Sequence, residues 1–357
     1  MDLQNGLLVA AVSIKRGKIG HHIHVQSAFG NNPPTIMLFF APKPFGYHLE
    51  SCYNSNIPMR YGGIALDSMI TAVVEHEHIY GVAAVTTELV ERARGIHRSS
   101  PTATAALGRL LTAGELMGAL LKETSHRVIL QISGRGPVQQ IVAEADGAGH
   151  VRGYLGQPAI HIPSRNGKLD VGRAVGKGIL HVIKEVGMPM PSSGTVPLVS
   201  GEIAEDLAAY LVQSEQIPSA VSLGVFVRTD HTVTAAGGVL VQFHSTVADD
   251  IVEHIDQALA SMPSATTMIR EGCQPYDMLY RALGGLSLEV VRQKTPVWHC
   301  HCSRNRVVRA LIALGMEELR RLIAEQPETE VRCEFCTAEY VFNQADLATL
   351  LNEALQA

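Results

Sequence analysis

From Met69 onward the chain alternates between runs whose apolar positions recur every second residue and runs in which they recur every three to four. "MITAVV", "IYGVAAVTT", "RVILQIS", "QQIVAEAD", "HVRGYLG", "AVSLGVFVRT" and "TVTAAGGVLVQF" read as strands, several of them separated by Gly and Pro turns that suit antiparallel pairing. "TELVERARGIH" predicts a short helix opened by Thr87. The clearest helix is "SSPTATAALGRLLTAGELMGALLK", with Ser100 as N-cap, Pro101 at the first helical position, and Leu107, Leu110, Leu111, Met117 and Leu121 on one face. Another is predicted in "SGEIAEDLAAYLVQSEQ". Strands and helices mix without regular alternation, so the predicted class is α+β rather than a doubly wound sheet.

After His244 the period becomes helical. "ADDIVEHIDQALASM" places Ile251, Ile255, Leu259 and Met262 at i, i+4, i+8 and i+11, an apolar stripe against an acidic face. Two shorter helical pieces follow, "SATTMIREG" and "PYDMLYRALGG", interrupted by Gly272, Pro275, Gly284 and Gly285. Short helices depend on docking their apolar stripes, so 247–299 is predicted to be a metastable helical linker. The domain reading is then an atypical segment at 1–68, an α+β domain at 69–246, the linker at 247–299, and a small C-terminal domain at 300–357. Segment 1–68 is rich in His, Pro, Gly and Asn and shows no sustained period.

Composition narrows the function. Of 357 residues, 46% are apolar and 18% charged, which suits a folded globular chain, and the net charge of −5 offers no basic face for nucleic acid. The most apolar run, "IMLFFA", falls far short of the ~20 residues of a membrane span, and the N-terminus lacks a convincing signal peptide. The expected location is cytoplasmic. In that reducing compartment paired cysteines are more often metal ligands or redox centres than structural disulfides.

Four of six cysteines fall in two clips, "HCHC" with Cys300 and Cys302, and "CEFC" with Cys333 and Cys336. Two close pairs separated by a helical insert can converge on one tetrahedral Zn²⁺ through four thiolates. His299 and His301 flank the first clip, but four thiolates already complete a zinc shell. Arg304, Arg306 and Arg332 are near enough in sequence to soften the negative charge of such a cluster. A disulfide within either clip would close a loop of one or two intervening residues and so constrain the unfolded chain little. Loss of the metal matters more, because structural zinc supplies on the order of 10–16 kcal/mol in small modules. The residues alone leave a static staple, a catalytic dithiol and a reversible switch open.

Other features carry less. "VGRAVGKGI" lacks the spacing and the Ser/Thr of a phosphate loop and reads as a Gly-rich turn entering a strand; "SGRGP" reads as a hairpin turn. "EHEH" and "GHHIH" read as solvated surface, and Cys52 and Cys273 as ordinary thiols. No Ser/His/Asp order or paired carboxylates point to a catalytic pocket, so no enzyme is expected.

"SPTATAALGRLL", "GKLDVGRAVGKG", "VPLVSGEIAEDLAAYLVQSEQIPSAVSLGV" and "AAGG", followed by CxC and CxxC, closely resemble the heat-shock protein 33 family of redox-regulated holdase chaperones. The resemblance runs from about Met69 to the C-terminus. It implies an α+β domain, a metastable helical linker and a zinc domain. It further implies that oxidants convert the four zinc thiolates into two disulfides, Cys300 to Cys302 and Cys333 to Cys336, with release of zinc. The linker then unfolds and exposes apolar surface, here the stripe Ile251, Ile255, Leu259 and Met262, to unfolding client proteins. Family members are commonly dimeric when oxidised and pass clients to ATP-driven foldases. Two departures stand out. Segment 1–68 has no recognised counterpart, which is expected to reflect a mis-assigned start or a lineage-specific extension, and "GMPMPSSGTVPL" differs from the more polar family version. A four-cysteine nucleic-acid-binding module and a thiol-disulfide oxidoreductase are the alternatives; the acidic charge weighs against the first, and strand-like flanks around "CEFC" against the second.

Overall fold

In a computed structural model the alternating runs pair into two six-stranded sheets. The structure describes residues 66–74, 78–165, 167–244, 247–325 and 327–356, together with the two-residue strands β1 (Val9–Ala10), β2 (Val12–Ser13) and β3 (His24–Val25). Most of segment 1–68, including Cys52 and "GHHIH" apart from His24, lies outside the described residues, as do Glu75, His76 and Glu77 of "EHEH". The chain forms two units, Met1–Trp298 and His299–Ala357.

In the first unit β4 (Ser68–Val74) and β5 (Ile79–Val85) form a hairpin leading into α1 (Thr87–His97) and α2 (Pro101–Ala119). A meander follows, β6 (Arg127–Gly134), β7 (Gln140–Asp146) and β8 (His150–Leu155), and then the short α3 (Val171–Val175). The hairpin β9 (Gly178–Glu185) and β10 (Ser192–Pro197) leads through α4 (Ala204–Gln213) to a long hairpin, β11 (Ser219–Val227) and β12 (Val233–Phe243). Three helices come next, α5 (Asp249–Ser261), α6 (Ala265–Arg270) and α7 (Pro275–Ala282), before β13 (Leu288–Lys294) and β14 (Val297–Trp298). The first sheet has the order β1-β11-β12-β5-β4-β13 and the second β10-β9-β6-β7-β8-β14. "SGRGP" spans the β6–β7 connection as expected, while "VGRAV" is helical, its N-cap Asp170 accepting from the Arg173 amide at 3.0 Å.

α2 lies between the sheets, packed on β6, β7 and β8 of one and on β5, β11 and β12 of the other. The sequence predicts a single apolar face; in the structure every residue from Thr102 to Ala119 is buried. Its second face is made of Ala, Gly and Thr, and this is what admits the second sheet. A methyl group on Gly108 would sit 2.5 Å from Val90 Cγ1 and 2.9 Å from Val225 Cγ2. The polar residues on α2 are mostly matched: Arg109 pairs with Glu202, and Thr112 meets Thr86 at 2.7 Å.

The other face of the first sheet is covered too. α6 and α7 lie on β4, β5, β11 and β12, and α5 packs on α7. Their apolar residues join Ile70, Ile79, Val239 and Val241 in a second core. This explains why all nine residues of β11 are buried, because a strand covered on both faces has no solvent side to alternate with. Ile255, Leu259 and Met262 are buried in that core and Ile251 is half-buried against it, so the stripe read from the sequence is the docking face of α5 and of its C-cap. Cys273, expected as an ordinary thiol, is buried there and disulfide-bonded. Residues 288–298, expected to belong to a helical stretch, are instead strands: β13 pairs with β4 antiparallel, and β14 with β8 in parallel. β13 buries little side-chain surface, so its strand character comes from the distant ladder rather than from any local period.

The second unit contains α8 (Arg304–Ala313), α9 (Met316–Glu325), the hairpin β15 (Glu328–Arg332) and β16 (Glu339–Asn343), and α10 (Gln344–Gln356). Its buried core consists of Leu311, Leu319, Phe342, Leu347 and Leu350. Among the described residues no helix is long and apolar enough to cross a membrane.

Candidate metal centre

Two local devices present the cysteines. Cys300 and Cys302 lie on the extended segment that enters α8, whose N-cap Ser303 accepts from the Arg306 amide at 3.3 Å. Cys333 and Cys336 sit at the tip of the β15–β16 hairpin, where the Cys333 amide donates to Ala338 O at 2.9 Å and the Thr337 amide donates to Cys333 O at 2.8 Å. Thr337 takes a φ of +61°, a left-handed conformation unusual for a β-branched residue, and so the tight turn at Cys336 carries strain.

The four sulfurs lie within 4.8 Å of one another. Cys300 Sγ is 3.8 Å from Cys333 Sγ, and Cys302 Sγ is 3.2 Å from Cys336 Sγ. Tetrahedral zinc with Zn–S bonds of about 2.3 Å sets its sulfurs roughly 3.8 Å apart, so the donor set has the size and the soft chemistry of a zinc site. Burial raises the Cys302 thiol, and hydrogen bonds from Tyr340 and the neighbouring thiols more than offset this, bringing it down to about 7. Burial pushes Cys333 and Cys336 up. One thiolate therefore forms readily while four at this spacing repel each other, and a bound cation is what would let all four ionise.

Tyr340, on β16, donates its hydroxyl to Cys302 Sγ at 3.2 Å. Sequence reasoning missed it; the signal would have been a hydroxylated aromatic on the hairpin arm that follows "CEFC". Arg304 does not turn toward the sulfurs as expected. Its guanidinium donates to Val341 O at 2.9 Å and to Asp346 Oδ2 at 3.0 Å and lies 4.1 Å from the Phe342 ring centroid, which ties α8 to the hairpin and α10. Arg306 and Arg332 are exposed. His299 and His301 pack edge-on with ring centroids 4.4 Å apart, outside the four-sulfur cluster.

Residues 67–343 match the family model described as Hsp33 protein. The chain belongs to the Hsp33 family. It is 44% identical over 288 residues to the 33 kDa chaperonin of Geobacter sulfurreducens, covering 80% of this chain and 95% of that one. It is also 43% identical over 290 residues to the 33 kDa chaperonin of Clostridium perfringens, with 80% and 91% coverage. The crystal structure of the Thermotoga maritima 33 kDa chaperonin, a heat shock protein 33 homologue, superposes with a TM-score of 0.75 at 35% identity, covering 82% of this chain and all of that one. The relatives are named as chaperones, not as enzymes, and residues 1–66 lie outside the family match.

Proposed function

We propose that this protein is a redox-regulated, ATP-independent holdase that binds unfolding proteins under oxidative stress. The observation that carries the reading is the convergence of Cys300, Cys302, Cys333 and Cys336 within 4.8 Å, in a unit whose buried apolar core, among the described residues, is the small cluster Leu311, Leu319, Phe342, Leu347 and Leu350. These four side chains would hold one Zn²⁺, which supplies the charge that keeps them as thiolates and a cross-link between the two clips. Hypochlorous acid or peroxide removes two electrons per disulfide, joining Cys300 to Cys302 and Cys333 to Cys336. Each peroxide is reduced to two waters, using the protons available in solution. The four thiolate donors are then consumed, the clips can no longer hold a metal ion, and the small core does not hold the unit together alone.

The linker, 247–299, is then released from the first sheet. Ile251, Ile255, Leu259 and Met262, together with the strand residues beneath them, become the client-binding surface. The oxidised form is a homodimer, and clients pass to ATP-driven foldases in the cytoplasm once the disulfides are reduced.

The test follows zinc release, free thiols and suppression of client aggregation together, before and after peroxide at elevated temperature. All three should change in step. Turnover of a small dithiol substrate without zinc loss would instead make the protein an oxidoreductase, and zinc-dependent nucleic-acid binding without client protection would make it a nucleic-acid module.

A further inference from the structure

Of the two ionisable groups on α2, Arg109 is paired with Glu202, and Glu115 is left without a use in the redox reading. Glu115 is fully buried, and neither carboxyl oxygen has a hydrogen-bond partner. Charged groups surround it: Lys294 at the end of β13, Asp146 at the end of β7 and Asp67 just ahead of β4. Gly149 locates what roofs it. A methyl group there would lie 3.7 Å from Glu115 Oε1, 3.9 Å from Lys294 Cβ and 3.3 Å from the Thr295 carbonyl oxygen. The carboxyl and the short link between β13 and β14 therefore both border the turn at Gly149.

That link joins an edge strand to a two-residue strand whose Trp298 is packed into the main core. Among the described residues β13 is an edge strand, paired with β4, and its register shifts between Val290 and Arg292. β14 has two residues, with the Val297 amide donating to Gly149 O at 2.8 Å. One further tie comes from Arg292, whose Nη1 donates to Ala119 O at 3.2 Å and Leu121 O at 2.9 Å, carbonyls at the C-terminal end of α2.

We propose that Glu115 makes the docking of β13 and β14 proton-linked: the strands close over the neutral carboxylic acid, and lifting them admits water, into which the acid loses its proton. Burial is the largest influence on Glu115 and raises it from 4.5 to about 8; Lys294 opposes this, and Asp146 and Asp67 add to it. Asp146 is occupied by His150, whose Nδ1 lies 3.0 Å from its Oδ2, and Arg292 is committed to the α2 carbonyls. The closed state keeps the proton at pH values where the lifted state has lost it. Rising pH therefore favours lifting, by about tenfold per unit between the two pKa values. The consequence for activation rests on the chaperone reading, since these strands end the linker; the proton linkage does not.

The protein contains a single tryptophan, and it is Trp298 of β14, 7% exposed. Its emission shift in mild urea reports lifting in the reduced, zinc-loaded protein with no oxidant, so failure of the redox reading would not affect the result. The lifting equilibrium of the wild type should move about tenfold per unit between pH 6 and 8. In Glu115→Gln that slope should vanish, while His97, whose ring lies 6.1 Å from the Trp298 ring, stays in place. In Lys294→Gln, which removes the cation that draws Glu115 down, the window should move to higher pH. A wild-type equilibrium without slope, a Glu115→Gln slope equal to wild type, or an unmoved window in Lys294→Gln would each overturn the proposal.

Discussion

Tyr340 shows what a single residue adds to a site whose ligands can be read from spacing. Its hydroxyl donates to Cys302 Sγ, which stabilises the thiolate and blunts its attack on an oxidant. Tyr340→Phe should weaken zinc retention by about tenfold in a chelator competition and speed peroxide oxidation of the clip. Asp206 is a second case. Its Oδ1 accepts from the amides of Val199, Ser200 and Gly201 and its Oδ2 from Ile203, which holds the turn entering α4 with Ile203 at a φ of +77°. Asp206→Ala strands the buried amides of Gly201 and Ile203 and should cost roughly 2 kcal/mol or more in a urea unfolding experiment. The cysteines were legible because their chemistry depends on local spacing. Tyr340, Asp206 and Glu115 were not, because each depends on partners or surroundings that only the folded chain assembles.

Among the elements, the helices over the first sheet are where fit decides stability. Gly81 of β5 leaves room for α7: a methyl group there would lie 2.5 Å from Leu279 Cδ1. Gly81→Ala should leave the sheet intact and lift α7, weakening helix docking by about 1–3 kcal/mol, seen as faster hydrogen exchange confined to 249–283. Leu259→Ala removes a buried anchor and should loosen the same region by about 2–5 kcal/mol. If exchange in that region were unchanged in both variants, these helices would not be the labile element. The 3.6-residue period announced α5 and its inward stripe clearly. It could not announce β13, whose LEVVRQK buries almost nothing and becomes a strand only because β4 offers it a partner.

At the scale of the whole molecule the two units should respond to different insults. Chelation should collapse the NMR dispersion of 299–357, since the apolar cluster among its described residues is small, and leave that of 66–298 in place. pH should act on the first unit. Asp67 caps α1, accepting from the Glu88 amide at 2.9 Å and the Leu89 amide at 2.7 Å, yet burial, the dominant influence, raises it from 3.8 to about 7. Its folded pKa exceeds its unfolded one, so the native state holds the proton longer. Asp67's contribution to stability is then fully present below pH 4 and is lost as pH rises through about 7, so thermal unfolding of the first unit should occur at lower temperature at pH 8 than at pH 5, less so in Asp67→Asn. The sequence by itself determined the α+β class, most of the strands, the inward stripe of α5 and the two cysteine clips, because each is written in a local period or spacing. Only the tertiary structure decided that α2 is buried on both faces, that the first sheet is covered twice, and that Glu115 is buried with neither carboxyl oxygen hydrogen-bonded. Periodicity reports one face of one element; what covers the other face is chosen by residues far along the chain.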